Sequence, residues 1–80
     1  MAKVEPGVYK HFKGKEYEVI GTARDSETLA ELVVYRALYD SPEFGPNALW
    51  VRPVKEFFDE VEVDGEKIRR FEKINITKVL

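Results

Sequence analysis

Tyr9, Tyr17, Tyr35, Tyr39 and Trp50 recur along this chain with Arg36 and Arg52 close by. Aromatic rings that stack, beside guanidinium groups that lie over rings or on phosphates, equip small domains to bind extended peptides or single-stranded nucleic acid. The competing use of the same residues is a core, because large aromatics dominate burial in small domains and arginine stems cover apolar surface. His11 with Glu27 forms a second set, an acid/base pair if the first strand lies beside the segment carrying Glu27. Set against it is a plain hydrogen-bonded or surface histidine next to Tyr9 and Lys10. Ser26 and Thr28 have hydroxyls but no base, nucleophile elbow or oxyanion hole around them, so they read as turn caps. Lys67-Ile68-Arg69-Arg70 with Lys73 is basic, yet Glu62, Asp64, Glu66 and Glu72 lie among these residues and make it a mixed-charge solvated face. Phe44, shortly before Trp50, either forms an exposed apolar patch for a partner or folds back over the end of the fold.

Composition narrows the chemistry further. The chain has no cysteine and a single histidine, which excludes disulfides, zinc–thiolate sites and thiol catalysis; no cofactor or metal is expected. A net charge of -2 argues against a protein devoted to duplex nucleic acid, which usually carries a basic excess. No stretch approaches the ~20 apolar residues of a membrane span, and the N-terminus has no apolar targeting segment, so a cytoplasmic protein with no membrane partner is expected. Eighty residues bury only roughly 60% of their unfolded surface and support one core, hence one domain over 1–80. Its ordered part is expected at about 7–72, with 1–6 a flexible lead and 73–80 an edge strand or frayed tail.

The elements that must position these residues read as short strands. Val8 to Phe12 suit a strand, and Lys13-Gly14-Lys15 turns the chain. Glu16 to Ile20 alternate, with Tyr17 and Val19 on one face, and Gly21 marks a bulge or bend. Residues 26–40 support two readings. Thr28-Leu29-Ala30-Glu31 has capping-box spacing, and Ala30, Val33, Val34, Ala37 and Leu38 fall on one helical stripe. Leu32-Val33-Val34-Tyr35, however, is rich in side chains that lose rotamer freedom in a helix, and such a helix would be apolar nearly all round. As a strand, Leu32, Val34, Arg36 and Leu38 share one face while Val33, Tyr35, Ala37 and Tyr39 share the other, which makes 14–40 one long hairpin with a central second strand. Residues 40–47 carry two prolines and a glycine and read as a loop. Ala48 to Arg52 form a strand, Pro53 opens a short helical turn at 54–60, and Asp64-Gly65 closes a tight hairpin between Val61-Glu62-Val63 and residues 67–71.

These motifs in this order resemble a known family. Pro6-Gly7-x-Tyr9-x-His11-Phe12-Lys13-Gly14-x-x-Tyr17-x-Val19, then Ser26-Glu27-Thr28, Val33-Val34-Tyr35-Arg36-Ala37-Leu38-Tyr39 and Leu49-Trp50-Val51-Arg52-Pro53 before Phe57 are similar to the domain of unknown function 1653 family, over roughly residues 6–74. The resemblance implies a small bacterial all-β domain, an SH3-like barrel of five to six strands, with the strand reading at 26–40. It implies no activity. Asp25 stands where relatives often have histidine, which argues against a two-histidine metal site with His11.

The leading functional reading is a non-enzymatic binding module for a peptide, a nucleotide or single-stranded nucleic acid. Its candidate surface comprises Tyr9, His11, Tyr17, Glu27, Tyr35, Arg36, Tyr39, Trp50 and Arg52, with no catalytic residue assigned. Tyr35 and Arg36 fall on opposite faces of one strand, so this surface requires the strand to bend or Arg36 to sit at the rim. A small hydrolase or nucleotide-processing enzyme using His11 and Glu27 is one alternative. A structural homo-oligomer driven by the C-terminal strand is another, and the expected state is a monomer or weak homodimer.

Overall fold

The computed structural model describes residues 4–74. Its frame is a five-stranded antiparallel sheet of β1 (Gly7–His11), β2 (Glu16–Arg24), β3 (Glu31–Ala37), β6 (Leu49–Pro53) and β9 (Phe71–Lys73), in the spatial order β6-β3-β2-β1-β9. Four strands thus run as a meander, and the last returns beside the first, in a small all-β fold. Two small hairpins are inserted: β4 (Asp40–Ser41) with β5 (Gly45–Pro46) inside the meander, between β3 and β6, and β7 (Glu60–Val63) with β8 (Glu66–Arg69) between β6 and the returning β9. The one helix among the described residues, α1 (Val54–Phe57), follows Pro53 and is far too short to cross a membrane.

Residues 31–37 are a strand, and alternation rather than the helical stripe governs them. Val33, Tyr35 and Ala37 are buried while Leu32, Val34 and Arg36 are half-buried. β3 is central, between β2 and β6, but its second face is only partly covered. The register between β2 and β3 shifts between Val19 and Gly21, the bulge expected there, and β2 then runs on to Arg24 rather than stopping at residue 20. The 40–47 loop carries a two-residue ladder of its own, Asp40 opposite Pro46 and Ser41 opposite Gly45. At Asp64-Gly65 both residues have positive φ, 52° and 81°, as a type I′ turn demands. That hairpin ends at Arg69, however. Arg70 turns away to pair with Asp59, and Phe71 leaves the hairpin to join the main sheet opposite His11. Of the expected C-terminal strand, only residues up to 74 are described.

The core is aromatic. Phe57, fully buried, lies flat on Phe71 with ring centroids 4.0 Å apart, and edge-on to Tyr9 and Tyr35 at 5.4 and 5.3 Å. α1 therefore plugs the bent sheet with one side chain. Val19 and Val33 complete the interior.

Candidate functional site

Cross-strand partners share a face of the sheet, so the register assigns each candidate a side. Tyr9 faces Tyr17, His11 faces Phe71, Tyr35 faces Trp50, and Arg52 faces Val33, which puts all of them on the inner face. Glu18 and Arg36 face each other on the outer side and form an ion pair there. The strand does not bring Arg36 round to the aromatic side. Tyr9 and Tyr35, 4% and 5% exposed, are core residues with no ring face left for a ligand. Burial raises the Tyr9 pKa, and its hydroxyl donates to the Glu5 carbonyl at 2.9 Å.

Strand directions then separate two ends of the inner face. At one end β1 finishes with His11, β2 starts next to Tyr17, β6 starts next to Trp50, and Tyr39 follows β3. Phe71 underlies part of this end, 4.8 Å from His11, 5.7 Å from Tyr17 and 5.9 Å below the Arg52 guanidinium, centroid to centroid or to the central guanidinium carbon. The Tyr17 and Tyr39 hydroxyls are 2.8 Å apart. Burial, followed by that hydrogen bond, raises the Tyr17 pKa, which keeps it a neutral phenol. Lys15 Nζ stands 4.6 Å from the Tyr39 ring centroid. Phe44, from the β4–β5 turn, packs edge-on to Trp50 at 5.2 Å while staying mostly exposed, so the rim is apolar and open at once.

Glu27 lies at the other end, in the turn between β2 and β3. The Asp25 carboxylate organises this turn by accepting the Glu27 and Thr28 N–H groups, which lower its pKa, and Thr28 Oγ1 accepts from the Ala30 N–H. The nine residues of β2 separate this turn from His11, on the order of 25 Å along a strand at ~3.3 Å per residue. The acid/base pair is therefore not assembled. His11 is also unsuited to act as a base. The Lys13 N–H donates to its Nδ1 at 3.1 Å, so the neutral ring carries its proton on Nε2 and acts as a donor. Burial, then the positive charges of Arg52, Arg70 and Lys13, lower its pKa.

The electrostatic sign of this end follows from those partners. Arg70 is neutralised by Asp59, at 2.7 Å, and holds that carboxyl below its usual range. Arg52, Lys13 and Lys15 enter no ion pair among the described residues. Arg52 Nε is buried with no hydrogen-bond partner. Sequence reasoning passed over Lys13 and Lys15 as turn residues, although Lys15 stands two residues from Tyr17 where a strand brings side chains to one side. A shallow depression of about 430 Å³ lined by Lys10, His11, Phe12, Ile68, Arg69 and Glu72 opens beside His11. Among the described residues, no three His, Asp or Glu side chains gather as metal ligands.

Comparison with known proteins gives a consistent fold and no assigned activity. The crystal structure of a DUF1653 protein from Bordetella bronchiseptica is similar to this one with a TM-score of 0.80 and 28% sequence identity, covering 96% of this chain and 95% of that chain. No curated protein matches. The sequence itself matches the family described as Protein of unknown function (DUF1653) over residues 7–73, and the chain belongs to that family.

Proposed function

We propose that the protein is a non-enzymatic binding module whose ligand surface is the inner-face end formed by His11, Tyr17, Tyr39, Trp50 and Arg52, with Phe44, Lys13 and Lys15 at its rim. The ligand class is single-stranded nucleic acid. One observation carries this reading: in a chain of net charge -2, accessible rings share this end with three cations that have no carboxylate partner among the described residues. Such a surface suits an anion that also carries flat rings. Bases stack on Tyr39 and Trp50 with little regard for sequence, and phosphates meet Arg52, Lys15 and the His11 Nε2–H.

The test is titration of Trp50 fluorescence, the chain's single tryptophan, with short single-stranded DNA and RNA at low salt, beside peptides of mixed sequence. Stacking is worth about 1–3 kcal/mol per base, so Trp50→Ala, which lacks the fluorophore and is read instead by the anisotropy of a dye-labelled oligonucleotide, is expected to weaken binding by roughly 5- to 150-fold. Affinity falls as salt rises, with the modest slope of a two- or three-phosphate contact. Binding to peptides but to neither nucleic acid replaces the ligand class, and binding to none of them removes the proposal.

A further inference from the structure

We infer that the inner-face end holds a subsite for a terminal phosphate monoester, built from the Arg52 guanidinium, the His11 Nε2–H and the hydroxyls of Tyr17 and Tyr39. The subsite presupposes the binding reading above and narrows it: the single strand is gripped by a phosphorylated end. Three strands deliver the groups to one place. His11 closes β1, Tyr17 lies at the start of β2 and Arg52 comes from β6, and all three stand 4.8–5.9 Å from the centre of the Phe71 ring.

What these groups offer is donors. The Lys13 N–H donates to His11 Nδ1 at 3.1 Å and the Gly14 N–H to the His11 carbonyl at 2.8 Å, so the turn after β1 leaves the imidazole proton on Nε2. The rings of Phe12, Phe71 and Tyr17, at 4.6, 4.8 and 6.4 Å, hold that imidazole in place. Tyr17 and Tyr39 share one hydrogen bond at 2.8 Å, which uses one of their two hydroxyl protons and leaves the other to donate. Arg52 Nε is shielded from water with no acceptor, a cost that stays uncompensated until a ligand brings one. Asp59, the carboxyl that the charge of Arg52 helps to depress, is already taken by two nitrogens of Arg70 at 2.7 and 3.3 Å.

The shape of the place selects a chain end. Phe71 is 2% exposed and lies flat on the fully buried Phe57, so the subsite is closed on its core side. An internal phosphodiester has two non-bridging oxygens and must leave by two tethers. A monoester has three such oxygens and enters by one, which suits a guanidinium fork that takes two oxygens beside an imidazole and a phenol that reach the third. Trp50 stands two residues from Arg52 on the same face of β6, roughly 7 Å along a strand, where the terminal base stacks while its phosphate sits on Arg52.

The full chain is titrated into dye-labelled oligothymidine strands of about eight nucleotides carrying a 5′-phosphate, a 3′-phosphate or neither, with dye anisotropy as the readout. At least one phosphorylated strand is expected to bind roughly 10- to 100-fold more tightly than its hydroxyl-ended counterpart, and the two arms tell which end is held. Arg52→Gln, and Arg52→Lys, which keeps the charge but not the fork, bring that ratio close to one. Trp50→Ala weakens all strands and keeps the ratio, as does Lys55→Gln, an equal loss of charge at an exposed position of α1. Unchanged circular dichroism shows that the variants are folded. A parent that binds every strand with a ratio short of that range overturns the subsite and leaves the binding reading standing, whereas a parent that binds none removes both. An Arg52→Gln protein that keeps the ratio, or a Lys55→Gln protein that loses it equally, overturns the subsite as well, because long-range charge then accounts for the preference.

Discussion

Replacing Phe57 by alanine removes the side chain that α1 contributes to the core, and the structure sets the size of the effect. Phe57 is fully buried, stacked on Phe71 at 4.0 Å and edge-on to Tyr9, Tyr35 and Phe58 at 5.2–5.4 Å. Buried Phe→Ala changes cost about 3–5 kcal/mol, and the collar of four rings here cannot collapse without breaking its own packing, which places this one near the upper end. A domain of this length has about 4–12 kcal/mol in total, at 0.05–0.15 kcal/mol per residue. Most of the stability is then at stake in one residue of a four-residue helix. Urea unfolding followed by Trp50 fluorescence measures it. With a slope of about 1 kcal/mol per molar, Phe57→Ala lowers the midpoint by roughly 4–5 M or abolishes the transition, whereas Phe57→Leu, closer in volume, lowers it by roughly 1–2 M and keeps the transition measurable. A loss below about 1 M for the alanine variant would refute the claim that Phe57 plugs the sheet.

Other predictions follow from single residues. His11 has a folded pKa below its unfolded value near 6.5, so between the two the unfolded chain binds more protons. Stability is full above about pH 6.5 and falls as pH drops toward the folded pKa; His11→Gln flattens the urea midpoint over that window. Asp25 and Asp59 are depressed instead, so their contributions are full above about pH 4 and are lost as pH falls from there toward their folded pKa values, which leaves the histidine window clear. Tyr17→Phe deletes the 2.8 Å contact with Tyr39 and costs about 0.5–1.5 kcal/mol by the same unfolding assay. Two glycines respond in opposite directions. Gly65→Ala, at φ 81°, costs about 1–2 kcal/mol, while Gly21→Ala, outside the positive-φ set and with no atom within 4 Å of its new Cβ, gains about 0.4–1 kcal/mol.

Local chemistry explains what the sequence discloses of this fold. Asp64-Gly65, Gly21 and Pro53 act through their own backbones, and each produces the turn, bulge or strand end its chemistry requires. Leu32 to Leu38 is different, because its apolar residues satisfy helix and strand periods alike. Pairing with β2 and β6 decides that segment, and pairing is not a property of the segment. Phe71 closes the run 67–71 that flanks the Asp64-Gly65 turn, so position alone puts it on the last hairpin. The Asp59–Arg70 ion pair, eleven residues apart in sequence, marks the point at which the chain departs toward β1. The site shows the same division. Alternation along 32–39 placed Tyr35 and Arg36 on opposite faces, and the structure keeps them there. That Tyr9 and Tyr35 are core while Tyr39 and Trp50 are rim depends on where Phe57 plugs the sheet. The distance between His11 and Glu27 depends on the length of β2, which a bulge at Gly21 disguises as a strand end.

The most direct test of the binding surface is a residue-resolved amide and indole chemical-shift titration with a single-stranded oligonucleotide of about eight nucleotides, at dilute protein and low salt. Shifts clustered on His11, Tyr17, Tyr39, Trp50 and Arg52, and weakened in Arg52→Gln, are the predicted result. Shifts confined to the outer face around Ile20, Val34 and Glu18, or to the turn carrying Asp25 and Glu27, would contradict it.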